Sequence, residues 1–534
     1  MRCALCIFYF MLQVTDVTLQ FGSRVLFDRV NLSFTSGNCY GVIGANGAGK
    51  STFLKVLSGE LEPNKGDVSL KKNTRMSVLA QNQNAFDEHT VLRTVLMGHK
   101  RLIDVKDAMD ALYAKPDFSD EDGNKVSELG EEFAELGGWE ADSEAESLLD
   151  NLKVPKELFE VKMSDVDPKV KVKVLLAQAL FGSPDVMLLD EPTNNLDAKS
   201  VNWLENYLMG LDNTIIIVSH NRHFLNKVCT HICDVDFKEI NVFVGNYDFW
   251  YETSQLIARQ AKEQNKKAEA RAKELADFIA RFSANAARSK QATSRKKELE
   301  KLKLEDIKPS TRKYPYIDFK PDREPGNDIL TVEGLTLDGY FSDVSFIVGR
   351  EDKIAFLCSN GLVVTELFNV IAGIKKPTKG TVKWGTTITS GYLPLNNDNF
   401  FDKCSLKLTE WLGQFSKDNT EIYLRSWLGR MLFSGEEALK KASVLSGGEK
   451  VRCMLARCML AGANFLIMDE PTNHLDLEAI TALNKGMTAF KGAMLFTTHD
   501  HEIMNTVANR IIEIDGGKKV YDKIIGYDEY LDKN

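Results

Sequence analysis

The stretch VIGANGAGKSTFLKVLSG (Val42 to Gly59) decides the fold. Its centre, GANGAGKS (Gly44 to Ser51), fits the spacing G-x-x-x-x-G-K-[ST]. Apolar CYGVI precedes it as a buried strand, and STFLKVLSG follows as a helix, which is the context such a loop requires. The pattern predicts an α/β nucleotide-binding domain. Gly44, Gly47 and Gly49, with Asn46 between them, let backbone N–H groups close around phosphates at a helix N-terminus. Lys50 neutralises phosphate charge, Ser51 offers a hydroxyl to Mg²⁺, and Thr52 continues the loop into the helix.

Other runs are in register with this loop. VMLLDE is a hydrophobic strand ending in two carboxylates, of which Asp190 is placed to hold a magnesium shell and Glu191 to polarise an attacking water. IIIVSH ends a second strand on His220. VLAQNQ supplies Gln81, an amide suited to sensing Mg²⁺ or water. Phe21, in LQFGS, is either an aromatic placed to stack on a base or a core phenylalanine.

The chain repeats itself. LLDEPTNNLD (Leu188 to Asp197) returns as IMDEPTNHLD (Ile467 to Asp476), and IIIVSHNRHFL returns as MLFTTHDHEIM; both offsets are 279 residues. Equal offsets across separate motifs mean duplicated domains. Lys50 to Val364 spans 314 residues, so the first copy carries 35 more between its loop and its second half. The charged, helix-forming stretch at about 96–142 is the expected insertion. The organisation read from this is an extension at 1–10, a first domain at 11–250, a linker at 251–327 and a second domain at 328–534.

Arg259 to Lys313 holds 17 Lys and Arg against 8 Asp and Glu, a net of +9 in a chain of net −9. It contains no Gly, and apolar Leu275, Phe278, Ile279 and Phe282, then Leu299 and Leu302, recur at helical spacing. Two long helices joined near NAARSKQATS are expected. A salt-bridged spacer has no need of such one-sided charge, so a polyanionic partner is expected.

At 534 residues, with 43% hydrophobic and 27% charged residues, the chain reads as two to four soluble globular domains. Its nine cysteines show no metal-ligand spacing and read as buried thiols. The longest apolar run, CALCIFYFML (Cys3 to Leu12), is too short to cross a bilayer, which needs about 20 residues. No small-residue cleavage site follows it, and MLQVTDVTLQF from Met11 reads as the first strand.

The second copy of the loop, FLCSNGLVVTEL (Phe356 to Leu367), has Cys358, Val363 and Val364 where the first has Gly44, Gly49 and Lys50. In GYLPLNN, Leu395 stands where a glutamine corresponds. VLSGGEKVRCMLARCML begins a helix with Ser446, Gly447, Gly448 and Glu449, a backbone anion site that needs a nucleotide from elsewhere. In the first copy that position reads MSDVDPKVKVK (Met163 to Lys173), keeping Ser164 but neither glycine.

These motifs together resemble the ATP-binding cassette superfamily. The tandem layout, basic linker and missing membrane domain are similar to the ABC-F family, over nearly the whole chain from about Met11. The runs RFSANAARSKQATSR, CTHICDVDF and LLAQALF resemble its bacterial YbiT-type branch. The resemblance implies two P-loop ABC domains joined by a coiled-coil-like helical linker, in a monomer whose cassettes pack head to tail around ATP and Mg²⁺. It implies one site built from Gly44 to Ser51, Gln81, Asp190, Glu191 and His220 facing Ser446 to Glu449. The other is degenerate, with Cys358, Val363, Val364 and Leu395 but with Asp469, Glu470 and His499 kept. It further implies a cytoplasmic ATPase at the ribosomal tRNA exit site, the linker reaching rRNA and P-site tRNA, with hydrolysis permitting release. The competing readings are an ATPase subunit of a membrane transporter, a DNA-structure-binding ATPase and a nearly inert scaffold.

Overall fold

In the computed structural model, described residues are 10–282 and 312–533, apart from Ser23, Asn46, Gln81, Asn195, Asp197, Ser359 and Lys403. Two copies of one architecture follow each other. In the first, six strands lie in the order Met76–Val78, Val186–Asp190, Thr214–Val218, Cys39–Gly44, His231–Asp236, Glu239–Val244. The first five are parallel and the last is antiparallel. The second copy repeats the order as Ser390–Leu393, Phe465–Asp469, Ala493–Thr497, Lys353–Cys358, Arg510–Asp515, Lys518–Lys523. Each copy adds a three-stranded antiparallel sheet, centred on Phe10–Phe21 and on Leu330–Leu337.

Parallel strands are covered on both faces by their crossovers, so they read as unbroken apolar runs. Cys39–Gly44 and Thr214–Val218 are buried at every residue. This arrangement puts the C-terminal ends of the central strands, with the loops that leave them, along one edge of each sheet. Ligands of open α/β sheets bind at that edge. The phosphate-loop glycines, Asp190 and Glu191 all sit on such ends, and His220 follows one of them.

The Phe10–Phe21 strand begins one residue before the expected Met11. Two helices, Lys100–Tyr113 and Asp120–Glu135, lie within the expected insertion, while Ala141–Asn151 matches Glu421–Arg430 of the second copy at the 279-residue offset. A helix of 36 residues, Tyr247–Phe282, leaves the first copy. The joint expected near NAARSKQATS and the helix after it lie outside the described residues. No described helix is long and apolar enough to cross a membrane.

The copies touch through equivalent elements. The rings of His223 and His501 stack with centroids 4.0 Å apart. Beside them Arg222 donates from Nη1 to Glu502 Oε2 at 3.0 Å and from Nη2 to the Leu477 carbonyl at 3.0 Å.

Candidate nucleotide site between the two copies

Strand Cys39–Gly44 delivers the glycine loop to the N-terminus of helix Lys50–Leu57. Gly49 caps that helix at φ 103°, a left-handed conformation that favours glycine. A Cβ there would lie 2.8 Å from Phe27 Cζ. No side chain caps the helix, so its first N–H groups stay available to an anion. Lys50 folds back so that Nζ donates to the Gly44 carbonyl at 2.8 Å and to the Ala45 carbonyl at 3.4 Å. Burial lowers its pKa, opposed by Glu191, Glu478 and Asp476. Arg24 steadies the loop from outside, donating from Nη2 to the Gly47 carbonyl at 2.6 Å. That contact was not visible in the spacing of the motif.

Glu191 leaves its strand at φ 52°. Its Oε1 is 3.5 Å from His220 Nε2, and the His220 backbone N–H donates to its Oε2 at 3.3 Å. Burial, with Asp190 adjoining, pushes the Glu191 carboxyl up to about 8. Burial, then Lys50, pushes His220 down to about 3, so the imidazole is neutral. Among the described residues, Glu191 Oε1 accepts no hydrogen bond. A carboxylate oxygen left this way, beside a neutral imidazole and an ammonium, suits a water or a metal-bound oxygen.

Across a cleft of about 1070 Å³ these groups face the second copy. The cleft is lined by Lys50, Ser51, Thr52, Asp190, Glu191 and His220 on one wall, and by Ser446 to Glu449 on the other. Ser446 caps helix Gly447–Leu460 with a full capping box, its Oγ accepting from Glu449 N. Asp476 and Glu478, from the second LDEPTN-type repeat, also line the cleft. So does His499, which the sequence assigned to the degenerate site; its ring is 70% exposed. Phe21 is 53% exposed on the outer hairpin and is not part of the cleft wall. Gln81 and Asn46 lie outside the described residues.

The second copy of the loop has a different shape. Offset by 314, Gly361 corresponds to Gly47 and Val364 to Lys50. The helix here begins at Gly361, three residues earlier than its counterpart, so loop has become helix. Asn360 caps it, its side chain accepting from Leu362 N and consuming a donor. Val363 and Val364 are 6% and 1% exposed, inside the apolar core of this copy. Cys358 packs at the edge of that core, and Leu395 is exposed. Asp469 is buried and accepts from Thr497 Oγ1 at 3.0 Å. Glu470, at φ 48°, keeps the 3.5 Å approach to His499 Nε2.

The facing signature needs a correction. Sequence matching paired Ser164 with Ser446. The structure pairs Asp167 with Ser446, because helix Pro168–Leu180 starts 279 residues before helix Gly447–Leu460 and Asp167 caps it, accepting from Lys169 N. Ser164 instead sits in a short 3₁₀ turn, Met163–Asp165, matching Ala442–Val444. A carboxylate thus holds the anion-binding end of this helix, and Pro168 lacks an N–H there. Lys169 replaces the second glycine. Burial raises the Glu470 carboxyl, and His499 and Lys169 are among the groups that oppose the rise.

A family model described as "ABC transporter" matches residues 27–194 and 341–473, and a second with the same description matches 233–319. The chain is 60% identical to "Uncharacterized ABC transporter ATP-binding protein YkpA" of Bacillus subtilis (strain 168), covering 98% of this chain and 97% of the relative. It is 44% identical to "Probable ATP-binding protein YbiT" of Escherichia coli O157:H7, covering 98% and 99%. It is 30% identical to "Energy-dependent translational throttle protein EttA" of Mycobacterium tuberculosis (strain CDC 1551 / Oshkosh), covering 93% and 89%.

Proposed function

The chain belongs to the ABC-F family of tandem ATP-binding cassette ATPases, and from that premise we propose that it is a cytoplasmic monomer that binds the ribosome and is released by ATP hydrolysis at one of its two sites. The observation that carries the reading is the composite cleft, where Lys50, Glu191 and His220 of one cassette face the glycine-led helix N-terminus after Ser446 of the other. Phosphate fits the wall at Gly49, whose left-handed turn leads into a helix N-terminus that no side chain caps, and at Lys50, whose ammonium rests on loop carbonyls. Gly44 to Thr52, with Asn46, hold the phosphates, and Ser446 to Glu449 complete the site from the other side. Phe21, exposed on the outer hairpin and paired there with Arg24, is assigned to the base.

Ser51, Asp190 and Gln81 would hold Mg²⁺, which when bound screens the phosphates and stabilises charge developing on them. Glu191 takes the proton of the attacking water, and His220 fixes the carboxylate through its backbone N–H. Glu191 has to be ionised for this, and the nearby Lys50 ammonium favours that form.

We assign no hydrolysis to the second site. Its loop is helical, its ammonium is replaced by a buried valine, and Asp167 occupies the opposing helix end. Asp469, Glu470 and His499 persist there without a phosphate cradle. The basic stretch Arg259 to Lys313 supplies the polyanion surface, directed in this reading at rRNA and P-site tRNA near the tRNA exit site.

The test is to prepare Glu191→Gln and Glu470→Gln separately and sediment each with ribosomes through a sucrose cushion in Mg²⁺ and ATP. Glu191→Gln alone should co-sediment. Trapping by Glu470→Gln would mean that the second site turns over; trapping by neither would remove the ribosomal reading.

A further inference from the structure

Arg312 belongs to the basic stretch of the linker, yet its side chain is only 8% exposed. Nη2 donates to Asp234 Oδ1 at 2.5 Å and Nη1 to Glu478 Oε1 at 2.6 Å. The guanidinium lies over Trp250, 4.5 Å from the ring centroid, and Trp250 Nε1 donates to Asp234 Oδ2 at 3.2 Å. Four separate parts of the chain meet here. Asp234 is on the first cassette's strand His231–Asp236, and Trp250 is in the first turn of the linker helix Tyr247–Phe282. Arg312 lies in the C-terminal part of the linker. Glu478, 2% exposed, is in the first turn of helix Leu477–Ala489 of the second cassette.

That turn belongs to the cleft. Asp476 caps the helix, accepting from Ala479 N, and Asp476, Glu478 and Ala479 all line the cavity. Arg222, two residues after His220, grips the same turn through the Leu477 carbonyl. One arginine from the catalytic strand's loop and one from the linker thus hold a wall of the site between them. A guanidinium serves two buried carboxylates at once because its fork donates in two directions, which an ammonium cannot reproduce at the same spacing. Without it, Asp234 and Glu478 would be two buried carboxylates with no cation between them.

We propose that Arg312 is a positioning residue for hydrolysis in the cleft. It fixes the Asp476–Glu478 turn against cassette one only when the first turn of the linker helix and the linker's C-terminal part are seated together on Asp234. Seating of the linker base and closure of the cleft are therefore one event, and anything bound along the linker acts on ATP turnover through this bridge. The inference rests on the cleft being the ATP site.

The test uses the full chain in the Glu191→Gln background, so that ATP stays intact, and measures hydrogen exchange with and without Mg²⁺ and ATP. Peptides covering 44–52 report nucleotide at the loop, and peptides covering 247–258 report the linker base. In the parent, ATP should slow exchange in both, by on the order of tenfold at the linker base. Arg312→Lys should keep protection at 44–52 and lose it at 247–258. With Glu191 restored, Arg312→Lys should lower kcat by about tenfold with KM within about twofold. Glu478→Gln, which keeps the fold of the turn, should behave the same way. Protection of 247–258 that survives in Arg312→Lys would overturn the proposal, whatever happens to kcat. No protection at 44–52 in the parent would overturn the ATP reading itself, and this inference with it.

Discussion

Glu191→Gln is expected to stabilise the nucleotide-free protein in a way that depends on pH. The folded carboxyl titrates at about 8 against an ordinary 4.5, through burial first and then Asp190. A group whose folded pKa is raised favours folding fully below its unfolded pKa, and that favour is lost as pH rises through the folded value. The loss accumulates at about 1.4 kcal/mol per pH unit between 4.5 and 8, then levels off at roughly 5 kcal/mol, an upper limit. Glutamine has no such titration. The stability of Glu191→Gln minus that of the parent should widen from pH 5 to pH 8 and flatten above it. For a cassette of this size the difference at pH 8 approaches on the order of 10 °C in Tm. His220 leaves this comparison intact. Its folded value of about 3 makes stability fall below the ordinary imidazole range in both proteins alike, so the term cancels. Calorimetric scans of both proteins without nucleotide, from pH 5 to 8.5, provide the assay. A Tm difference that stays constant across that range would refute the claim that the cleft holds its water-activating group protonated.

Further outcomes follow from the asymmetry of the two loops. Lys50→Ala should lower ATPase activity at least about 100-fold, since it removes the only loop ammonium facing developing phosphate charge among the described residues; retention of most activity in a phosphate-release assay would place turnover at the other site. Val364→Lys should not revive that site: it puts an ammonium at a position 1% exposed in an apolar core, costing several kcal/mol. The expected reading is a lower Tm for the second cassette and no gain in ATPase rate. Gly49→Ala should weaken nucleotide binding about tenfold or more, because φ 103° and the Cβ approach to Phe27 Cζ at 2.8 Å force the loop to shift; fluorescent-nucleotide titration reads it.

The duplication and the residues that line the cleft were legible because each motif carries its own geometry. A glycine loop between a buried strand and a helix has one way to fold, and equal offsets between repeats fix which strands correspond. Where residue type was used in place of position, the reading slipped. Ser164 looked like the remnant of Ser446, but a cap is defined by where its helix starts, and that position holds Asp167. Helix formation through Gly361 to Val364 was hidden for a related reason. Losing Gly49 and Lys50 reads as loss of binding, while the gain of two buried aliphatic side chains, which draws the loop into the core, shows only in three dimensions. The bridge at Arg312 joins positions 78 and 166 residues away, and a basic run gives no hint that one of its arginines is buried.

In the proposed reading two separate departures keep the second site from turning over, and this permits a stricter test than either alone. Replacing Asp167, Pro168 and Lys169 by Ser, Gly and Gly would reopen a helix N-terminus to anions, restoring the donors that the carboxylate and proline remove. The Gly361–Ile371 helix would still present a capped first turn and a valine in place of an ammonium. The reverse graft, returning glycines and lysine at Cys358, Val363 and Val364, would rebuild a cradle facing an end already held by Asp167. Phosphate is bound by convergent donors from both cassettes, so each half supplies a surface without a partner. Equilibrium dialysis with Mg²⁺ and ATP, in the Glu191→Gln background, should therefore count one nucleotide per chain for either graft. Two nucleotides per chain in either single graft would show that one wall suffices, and the account of why this site fell silent would be wrong.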